Sequence, residues 1–357
     1  MEKTLKINKL PSPSWSWLKI NDATIDFDFT LENVFPSVKN ISSVQYSKES
    51  LSIKKDFPEL LSGTGKDSLQ IFKDSKPECF ILPKNTKLEK PVVLNYDFSQ
   101  SQNAVTGQLI VAEENSEGTI IIVSSSQKED VGFQALKTEV FAKEGSKLKI
   151  IKVQLLGNSF IQVDDTSSYV KENASVELLH VELGGAKVYV GSGCTLKEYK
   201  SSFKSNMAYY LKDEQLLDLN FIVNHFGKKT SCKMKVSGSL NGKSKKTYRG
   251  TIDFKKGCSG SDGDEQEETL LLSPTAENYS MPVILCTEED ISGEHGATIG
   301  RLTDEILFYM QTRGISRENA EKIIARSKVQ SLLSVIQDED TVKKIEEEMD
   351  GIFGKAE

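Results

Sequence analysis

A histidine set between two glycines is the clearest candidate for chemistry in this sequence. His295 is one of only three histidines in 357 residues, and Gly293 and Gly296 leave its side chain sterically accessible. Imidazole is a common protein ligand for metals of intermediate softness, including iron. Cys286 lies upstream, and Glu294 is adjacent to the histidine. These residue types make His295 a candidate metal ligand, with Cys286 and Glu294 as additional candidates, but taken alone they favour a structural role in a strand-to-helix turn.

Other arrangements that carry catalysis do not occur in the sequence. His180 lies within an apolar, strand-like run and His225 at the end of one, which favours a structural role for both. Neither the G-x-S-x-G motif of serine hydrolases nor the H-E-x-x-H motif of zinc proteases is present. We therefore predict no catalytic residues.

Two further stretches resemble functional loops but fail the geometric requirements of those loops. Residues 238–244, GSLNGKS, are one residue short of a phosphate-binding loop, and a strand-like segment follows instead of a helix. We interpret them as a turn between β-strands. Residues 257–268, GCSGSDGDEQEE, predict a mobile acidic surface loop around Cys258, and their spacing does not fit a calcium-binding loop.

The composition is that of an acidic chain without signals for membrane insertion or secretion. Lys and Arg total 45 against 52 Asp and Glu, a formal net charge of -7, which disfavours a general nucleic-acid-binding protein. No apolar run is long enough for a transmembrane helix, and the N-terminal residues lack the apolar core of a signal peptide. The five cysteines are scattered and form no C-x-x-C pair. We expect a cytosolic, cytoplasmic protein with free thiols, without nucleic-acid or membrane partners.

A strand–turn–strand unit recurs between about residues 80 and 291. The segments AEEN (112–115), AKEG (142–145) and VKEN (170–173) each follow one apolar, strand-like run and precede the next. A unit that repeats at roughly thirty residues without intervening helices is typical of a solenoid, in which each coil buries its apolar face against its neighbours. The pattern predicts a mainly β fold, a parallel β-helix, in preference to an ordinary β-sandwich.

The hydrophobic period changes at the end of this repetitive region. From residue 299 apolar residues recur at helical spacing, with Asp304 and Glu305 in the first turn of the first predicted helix. Gly314 marks the end of that helix, Ser316 is a candidate N-cap for the next, and a final acidic helix follows. The predicted parts of the chain are an irregular N-terminal segment (1–80), a β-helix core (81–298) and a C-terminal helical subdomain (299–357).

The block LLLSPTAENYSMPVILCTEEDISGEHGATIGRLTDEILFYMQTRGIS, residues 270–316, resembles the C-terminal signature of the SufB/SufD family of the SUF iron–sulfur cluster assembly machinery. The shared pieces are a triple leucine ending in serine, a proline before a short strand, an acidic pair, H-G-A-T-x-G, and L-F-Y followed by R-G-I. Two other stretches are similar to family segments. LPKNTKLEKPVVL (82–94) resembles the start of the β-helix, and LPSPSWSWLKIND (10–22) resembles the SufD N-terminus.

Within the family, the sequence is more similar to SufD than to SufB. SufB would show E-H-E-A-T where this chain has E-H-G-A-T, with Gly296 in place of the second glutamate. SufB also has a cysteine-rich N-terminal region that this sequence lacks. Many SufD sequences carry a cysteine two residues before the histidine. That position is Gly293 here, so the sequence offers no thiol ligand or sulfur acceptor at that place.

The resemblance implies a right-handed parallel β-helix and a scaffold role, not an enzymatic one. It implies that the chain pairs with a SufB-like subunit through the β-helices and binds a SufC-like ABC ATPase through its C-terminal helices. It also implies that His295 matches a histidine at the SufB–SufD interface, where a transient iron–sulfur cluster is assembled, with no cofactor bound tightly by this chain alone. Phe308, Tyr309 and Arg313 become candidates for SufC docking, against a packing role for the two aromatic residues.

Two other functions stay open at the level of the sequence. One is a homodimeric SufD-like scaffold that works without SufB. The other is a β-helix enzyme that acts on polysaccharides, because this fold also hosts lyases. Such enzymes need a cluster of carboxylates and a basic residue on one face of the solenoid, and neither is evident in the sequence.

Overall fold

Two long sheets of mainly parallel strands dominate the computed structural model, which describes residues 3–13, 16–28, 30–48, 57–99 and 102–354. The strands are β1 (Lys3–Ile7), β2 (Ala23–Phe27), β3 (Glu32–Asn33), β4 (Ser37–Lys39), β5 (Gln45–Ser47), β6 (Glu78–Leu82), β7 (Val92–Asp97), β8 (Asn103–Ala112), β9 (Glu117–Ser125), β10 (Val131–Ala142), β11 (Lys147–Leu155), β12 (Ser159–Val170), β13 (Ser175–Glu182), β14 (Lys187–Leu196), β15 (Ser202–Leu211), β16 (Leu216–His225), β17 (Ser231–Leu240), β18 (Lys245–Phe254), β19 (Ser261–Leu271), β20 (Glu277–Cys286) and β21 (Ile291–Gly300). The helices are α1 (Asp304–Thr312), α2 (Arg317–Leu333) and α3 (Glu339–Phe353).

Each coil of the solenoid contributes one strand to each of the two sheets. The even-numbered strands from β6 to β20 pair with one another in parallel, and the odd-numbered strands from β7 to β21 form the second sheet. β5 and β4 add antiparallel strands beside β6 and β7. Neighbouring coils therefore lie about 4.8 Å apart. The parallel β-helix predicted from the repeat is confirmed.

Stacked turns explain the repeated segments of the sequence. Asn115, Gly145 and Asn173 occupy the same position in successive turns, and their φ angles of 55°, 66° and 54° lie in the left-handed region. Asparagine and glycine tolerate this conformation better than other residues do. The N–H of Asn115 donates to the carbonyl of Glu144, and the N–H of Gly145 donates to that of Glu172. The three segments are therefore equivalent turns, stacked along one edge of the solenoid.

The C-terminal helices are anchored on the outer face of the odd-numbered sheet. Apolar side chains such as Ile121 and Ile151 point outward from this sheet and share one buried cluster with Val329 of α2 and with Ile345 and Met349 of α3. Burying apolar surface in this way stabilises both layers. Removing the helices would therefore expose an apolar sheet face.

The predicted helix boundaries agree closely with the observed ones. The hydroxyl of Ser316 accepts the N–H of Asn319 at 3.2 Å, so Ser316 is the N-cap of α2 as predicted. Gly314, with φ of 81°, follows the end of α1, where a left-handed residue commonly ends a helix. In the described part of the chain, no helix is both long and apolar enough to cross a membrane.

The acidic stretch predicted as a mobile loop is instead mostly a paired strand. β19 lies between β17 and β21, and along it Glu265 and Glu267 are buried whereas Gln266 is exposed. The loop prediction was wrong because a buried glutamate requires a partner across the interior, and neighbouring residues do not reveal that partner. Residues 241–244 form a turn between β17 and β18, as the interpretation of GSLNGKS required.

The N-terminal segment crosses the outer face of the even-numbered sheet where β14 presents glycine. We call residues 61–65 the strap. A Cβ built on Gly193 would stand 2.0 Å from the carbonyl oxygen of Leu61 in the strap. The N–H of Thr64 donates to the buried carboxylate of Asp165 at 3.0 Å. The strap thus rests on a backbone-to-backbone approach that only glycine permits.

We expect Gly193→Ala to destabilise the protein by about 1–3 kcal/mol, because the added methyl group overlaps the backbone of the strap. Urea unfolding measures the loss, and limited proteolysis within residues 61–65 reports release of the strap. Gly300→Ala is the matched control, since a Cβ at that position meets no atom within 4 Å. Equal stability of the two variants would contradict the packing argument.

Candidate functional site

His295 lies on the last strand of the solenoid, at its open end. It belongs to β21, the edge strand of the odd-numbered sheet, and pairs in register with Glu265 of β19. Side chains alternate between the two faces of a strand, so His295 and Gly293 both belong to the column of stacked residues that faces the solenoid interior. A Cβ added to Gly293 would contact Ile284 and Phe254. No further described coil covers β21, so His295 is exposed although the preceding members of its column are buried.

The two additional candidates lie in different columns of the same coil. Cys286 ends β20 and pairs with Phe254, a residue of the solenoid interior, so it falls in an interior-facing column of the even-numbered sheet. Its thiol is exposed and donates to the carbonyl of Glu288 at 2.8 Å. Glu294 precedes His295 in the strand and therefore falls in the outward-facing column. The open end presents His295 and Cys286 from its two sheets, whereas Glu294 belongs to the outer face.

A buried ion pair lies in the coil beneath this open end. Lys246 of β18 contacts Glu267 of β19, and both side chains are almost completely inaccessible to solvent. The hydroxyl of Thr269 and the amide of Asn278 donate to Glu267 at 3.0 and 3.2 Å. Burial opposes ionisation of Glu267, but the charge of Lys246 and these hydrogen-bond donors outweigh it and hold the pKa of Glu267 below its ordinary value.

A second buried glutamate of β19 lies directly beneath the position of His295. The carboxylate of Glu265 occupies the space that a side chain at Gly250 would need, since a Cβ there would stand 2.0 Å from its oxygen. Burial raises the pKa of Glu265 to about 8, and the negative charge of Glu267 acts in the same direction. Glu265 is therefore protonated at neutral pH. The sequence analysis missed Glu265 and Glu267 because it assigned them to a surface loop.

The raised pKa of Glu265 makes the stability of the protein depend on pH. The folded state retains this proton between the ordinary pKa of 4.5 and about 8, whereas the unfolded state loses it, so this contribution to stability falls as the pH rises through that range. We expect Glu265→Gln to remove this dependence and to be more stable than the wild type at pH 9. Urea unfolding at pH 5, 7 and 9 measures the effect. Glu268→Gln, on the outer face of the same strand, is the control, and parallel curves for all three proteins would refute the assignment.

The other two histidines and four of the five cysteines belong to the packed interior. Burial lowers the pKa of His180 well below its usual range and lowers the pKa of His225 to about 4. His225 also shares a hydrogen bond of 2.7 Å with the hydroxyl of Thr230. The buried free thiols, whose pKa values are raised by burial, are those of Cys79, Cys194, Cys232 and Cys258. His295 and Cys286 are therefore the imidazole and the thiol that remain accessible.

The candidate docking residues lie at the exposed end of α1: Phe308 and Tyr309 belong to the helix, and Arg313 directly follows it. Phe308 and Tyr309 are 69% and 60% exposed, whereas the preceding residue, Leu307, is buried. The guanidinium of Arg313 lies 5.5 Å from the centre of the Tyr309 ring, at the range of a cation–π contact. Large exposed aromatic side chains beside an arginine are typical of protein-binding surfaces.

The accessible groups of the terminal coil suit iron chemistry. Imidazole nitrogen and thiolate sulfur are both common ligands of iron and of iron–sulfur clusters. Among the described residues, no group of three His, Cys, Asp or Glu side chains is arranged to hold a metal ion.

Comparison with known proteins places most of the solenoid and the first helices within one family. Residues 96–328, more than half of the chain, match the sequence model described as "SUF system FeS cluster assembly, SufBD core domain". The chain is 23% identical to the iron–sulfur cluster assembly protein SufD of Bacillus subtilis over 253 residues, which cover 68% of this chain and 56% of that protein. It is also 23% identical to SufB of the same organism over 283 residues, or 76% of this chain and 60% of SufB.

A further relative is an iron–sulfur cluster assembly SufBD family protein of Staphylococcus epidermidis. It is 23% identical over 282 residues, which cover 76% of this chain and 60% of the relative. The chain thus aligns with less than two thirds of the length of these curated relatives.

Proposed function

Because the chain belongs to the SufBD family of the SUF iron–sulfur cluster assembly system, we propose that it is a SufD-like scaffold subunit. In this proposal it works in the cytosol, pairs with a SufB-like chain and binds a SufC-like ABC ATPase. It contributes to a transient iron–sulfur cluster and catalyses no reaction by itself. The observation that carries the proposal is the exposure of His295 in the interior-facing column of the last, uncovered coil.

The open end of the solenoid supports pairing with a second β-helix. β20 and β21 are edge strands, each with one neighbour among the described strands. Edge strands carry unpaired backbone donors and acceptors and readily add a strand from another chain. Ile299 at the end of β21 is 43% exposed, so apolar contact is also available. Pairing there would place His295 at the contact between the two chains.

An interface at this end would also complete a ligand set. His295 and Cys286 supply donors from one chain, and the partner chain supplies the remainder. A cluster held between two subunits is lost when their separation changes, because ligation requires all donors at bonding distance. Movement driven by an ATPase on the C-terminal helices would thus control access to the cluster.

Point substitutions on α1 test the proposed ATPase contact without uncovering the apolar sheet face. We expect Phe308→Ala combined with Tyr309→Ala to weaken SufC binding by at least about tenfold, because truncating central aromatic anchors commonly costs 2 kcal/mol or more. Isothermal titration calorimetry with the SufC-like protein of the same organism measures the change. Ile323→Ala, on exposed surface of α2, is the control. Unchanged affinity of the double variant would remove α1 from the interface.

The decisive experiment for the function is anaerobic co-expression of the chain with the SufB-like and SufC-like proteins of its organism. We expect a stoichiometric complex that carries iron and acid-labile sulfide. A stable dimer of this chain that binds neither partner would support the homodimeric scaffold instead. Lyase activity on acidic polysaccharides without ATPase binding would refute the scaffold function altogether.

A further inference from the structure

Several lysines on the surface of the solenoid pair with a glutamate of the neighbouring coil. Lys143 contacts Glu113 at 2.7 Å, and Lys204 contacts Glu177 at 3.0 Å. Further pairs of this kind join Lys87 to Glu117, Lys149 to Glu177, Lys235 to Glu268 and Lys245 to Glu277. Stacked coils bring the side chains of equivalent positions close together, so charge alternation between coils relieves repulsion.

Lysines without such a partner are concentrated on three successive turns. They follow β14, β16 and β18, and the described residues provide no ion pair for their exposed lysines, whereas the partly exposed Lys255 of the third turn pairs with Asp253 at 2.5 Å. We call this surface the lysine edge; its main residues are Lys197, Tyr199, Lys200, Phe226, Lys228 and Lys229. The turns are hydrogen-bonded to one another, since the N–H of Lys200 donates to the carbonyl of Lys228. Like charges are thus held on adjacent coils of a protein whose net charge is -7, although Glu198 lies in the first of these turns.

Two exposed aromatic rings lie among these lysines. Tyr199 and Phe226 are 38% and 39% exposed. The ammonium group of Lys197 lies 4.8 Å from the centre of the Phe226 ring, and that of Lys200 lies 5.2 Å from the centre of the Tyr199 ring. The rings hold the lysine side chains against the surface and add apolar contact area to a positively charged patch.

The charge of the surrounding surface limits the length of an anionic ligand. The next turn toward the open end carries Glu288, Glu289 and Asp290, which would repel an anion that extended past the lysine edge. Three turns at the coil spacing span about 10 Å, which matches three or four residues of an extended peptide. A long nucleic acid would meet this acidic turn. The edge also lacks arginine, the residue that recognises phosphate with two parallel hydrogen bonds.

We propose that the lysine edge binds a short acidic segment of a partner polypeptide. Carboxylates of the segment pair with the lysines, and flanking apolar side chains of the segment pack on Tyr199 and Phe226. The attraction removes the repulsion between the stacked lysines and steers an acidic partner toward this side of the solenoid. This inference rests on the turns alone and is independent of the function proposed for His295.

Fluorescence anisotropy with a labelled peptide of five glutamates and a leucine at each end tests the proposal on the full chain. We expect Lys→Gln substitutions at positions 197, 200, 228 and 229 together to weaken binding at least about tenfold. The control variant replaces Lys90, Lys128, Lys147 and Lys187 with glutamine. These lysines are exposed and lie outside the lysine edge, and their replacement removes the same amount of charge. We expect the control to bind within about twofold of the wild type.

Two further measurements separate recognition from a change in fold. Lys→Arg substitutions at the four edge positions preserve the charge and should retain peptide binding. Thermal unfolding of the glutamine variant should match or exceed that of the wild type, because repulsion between the lysines is removed. Equal loss of affinity in edge and control variants, or no peptide binding by the wild type, would overturn the proposal. Tighter binding of oligothymidylate or of phosphatidylglycerol vesicles than of the peptide would overturn it as well.

Discussion

Replacing His295 with alanine should lower the iron and sulfide recovered with the assembled complex by at least about tenfold, with no loss of folding. Changes to groups that merely support a metal ligand already reduce metal affinity 10–100-fold, so removal of a ligand should cost at least as much. The fold should survive because His295 is an exposed residue on the terminal strand and fills no cavity. Iron and sulfide are assayed on complex purified anaerobically, and circular dichroism of the isolated chain checks the fold.

The neighbouring residues provide matched controls for this experiment. Glu294→Ala alters the adjacent residue in the outward-facing column and should leave the cluster content within about twofold. Cys286→Ser tests whether the accessible thiol in the facing sheet is a second ligand, and a fall in iron content comparable to that of His295→Ala would assign it. Cluster content that is unchanged in His295→Ala would exclude the histidine from cluster assembly.

Replacing Lys246 with methionine should destabilise the isolated chain by about 3–5 kcal/mol, because the carboxylate of Glu267 would remain buried without a compensating charge. Methionine has nearly the length of lysine, so loss of packing contributes little. Urea unfolding at pH 7 measures the free energy of unfolding. The double variant Lys246→Met with Glu267→Gln should recover most of the loss, since it leaves no buried charge.

An exposed pair that shares β19 is the internal comparison for Lys246. Lys235 and Glu268 lie 3.0 Å apart on the outer face, with side chains 48% and 44% exposed. Lys235→Met should cost less than about 1 kcal/mol, because solvent screens the pair. Similar costs for Lys246→Met and Lys235→Met would show that the interior of this coil is hydrated and that Glu267 is not a buried charge.

The repetitive core could be predicted from the sequence because its signals are local. Turn residues such as Asn115 and Asn173 adopt left-handed conformations that few residue types tolerate, and they recur with each coil. The same holds for the cap at Ser316 and the left-handed glycine at Gly314. Each of these signals depends on only a few neighbouring residues, so the sequence alone contains them.

Predictions failed or stayed incomplete where distant residues decide the outcome. The acidic stretch of β19 has the composition of a loop, and it is a strand because Lys246 on the facing sheet neutralises Glu267. The glycine at position 193 has no special local sequence, and its role follows from the strap that crosses it. Both contacts join segments far apart in the chain.

The solenoid, the change to helices near residue 299 and the family resemblance that pointed to His295 could all be read from the sequence. That His295 and Cys286 share the open end, that Glu294 belongs to the outer face, and that three lysine-bearing turns stack on one another follow from the folded structure alone. The physical reason is that propensity, capping and periodicity act over a few residues. Exposure and charge pairing depend instead on which coil lies next to which, and that order is established only when the sheets form.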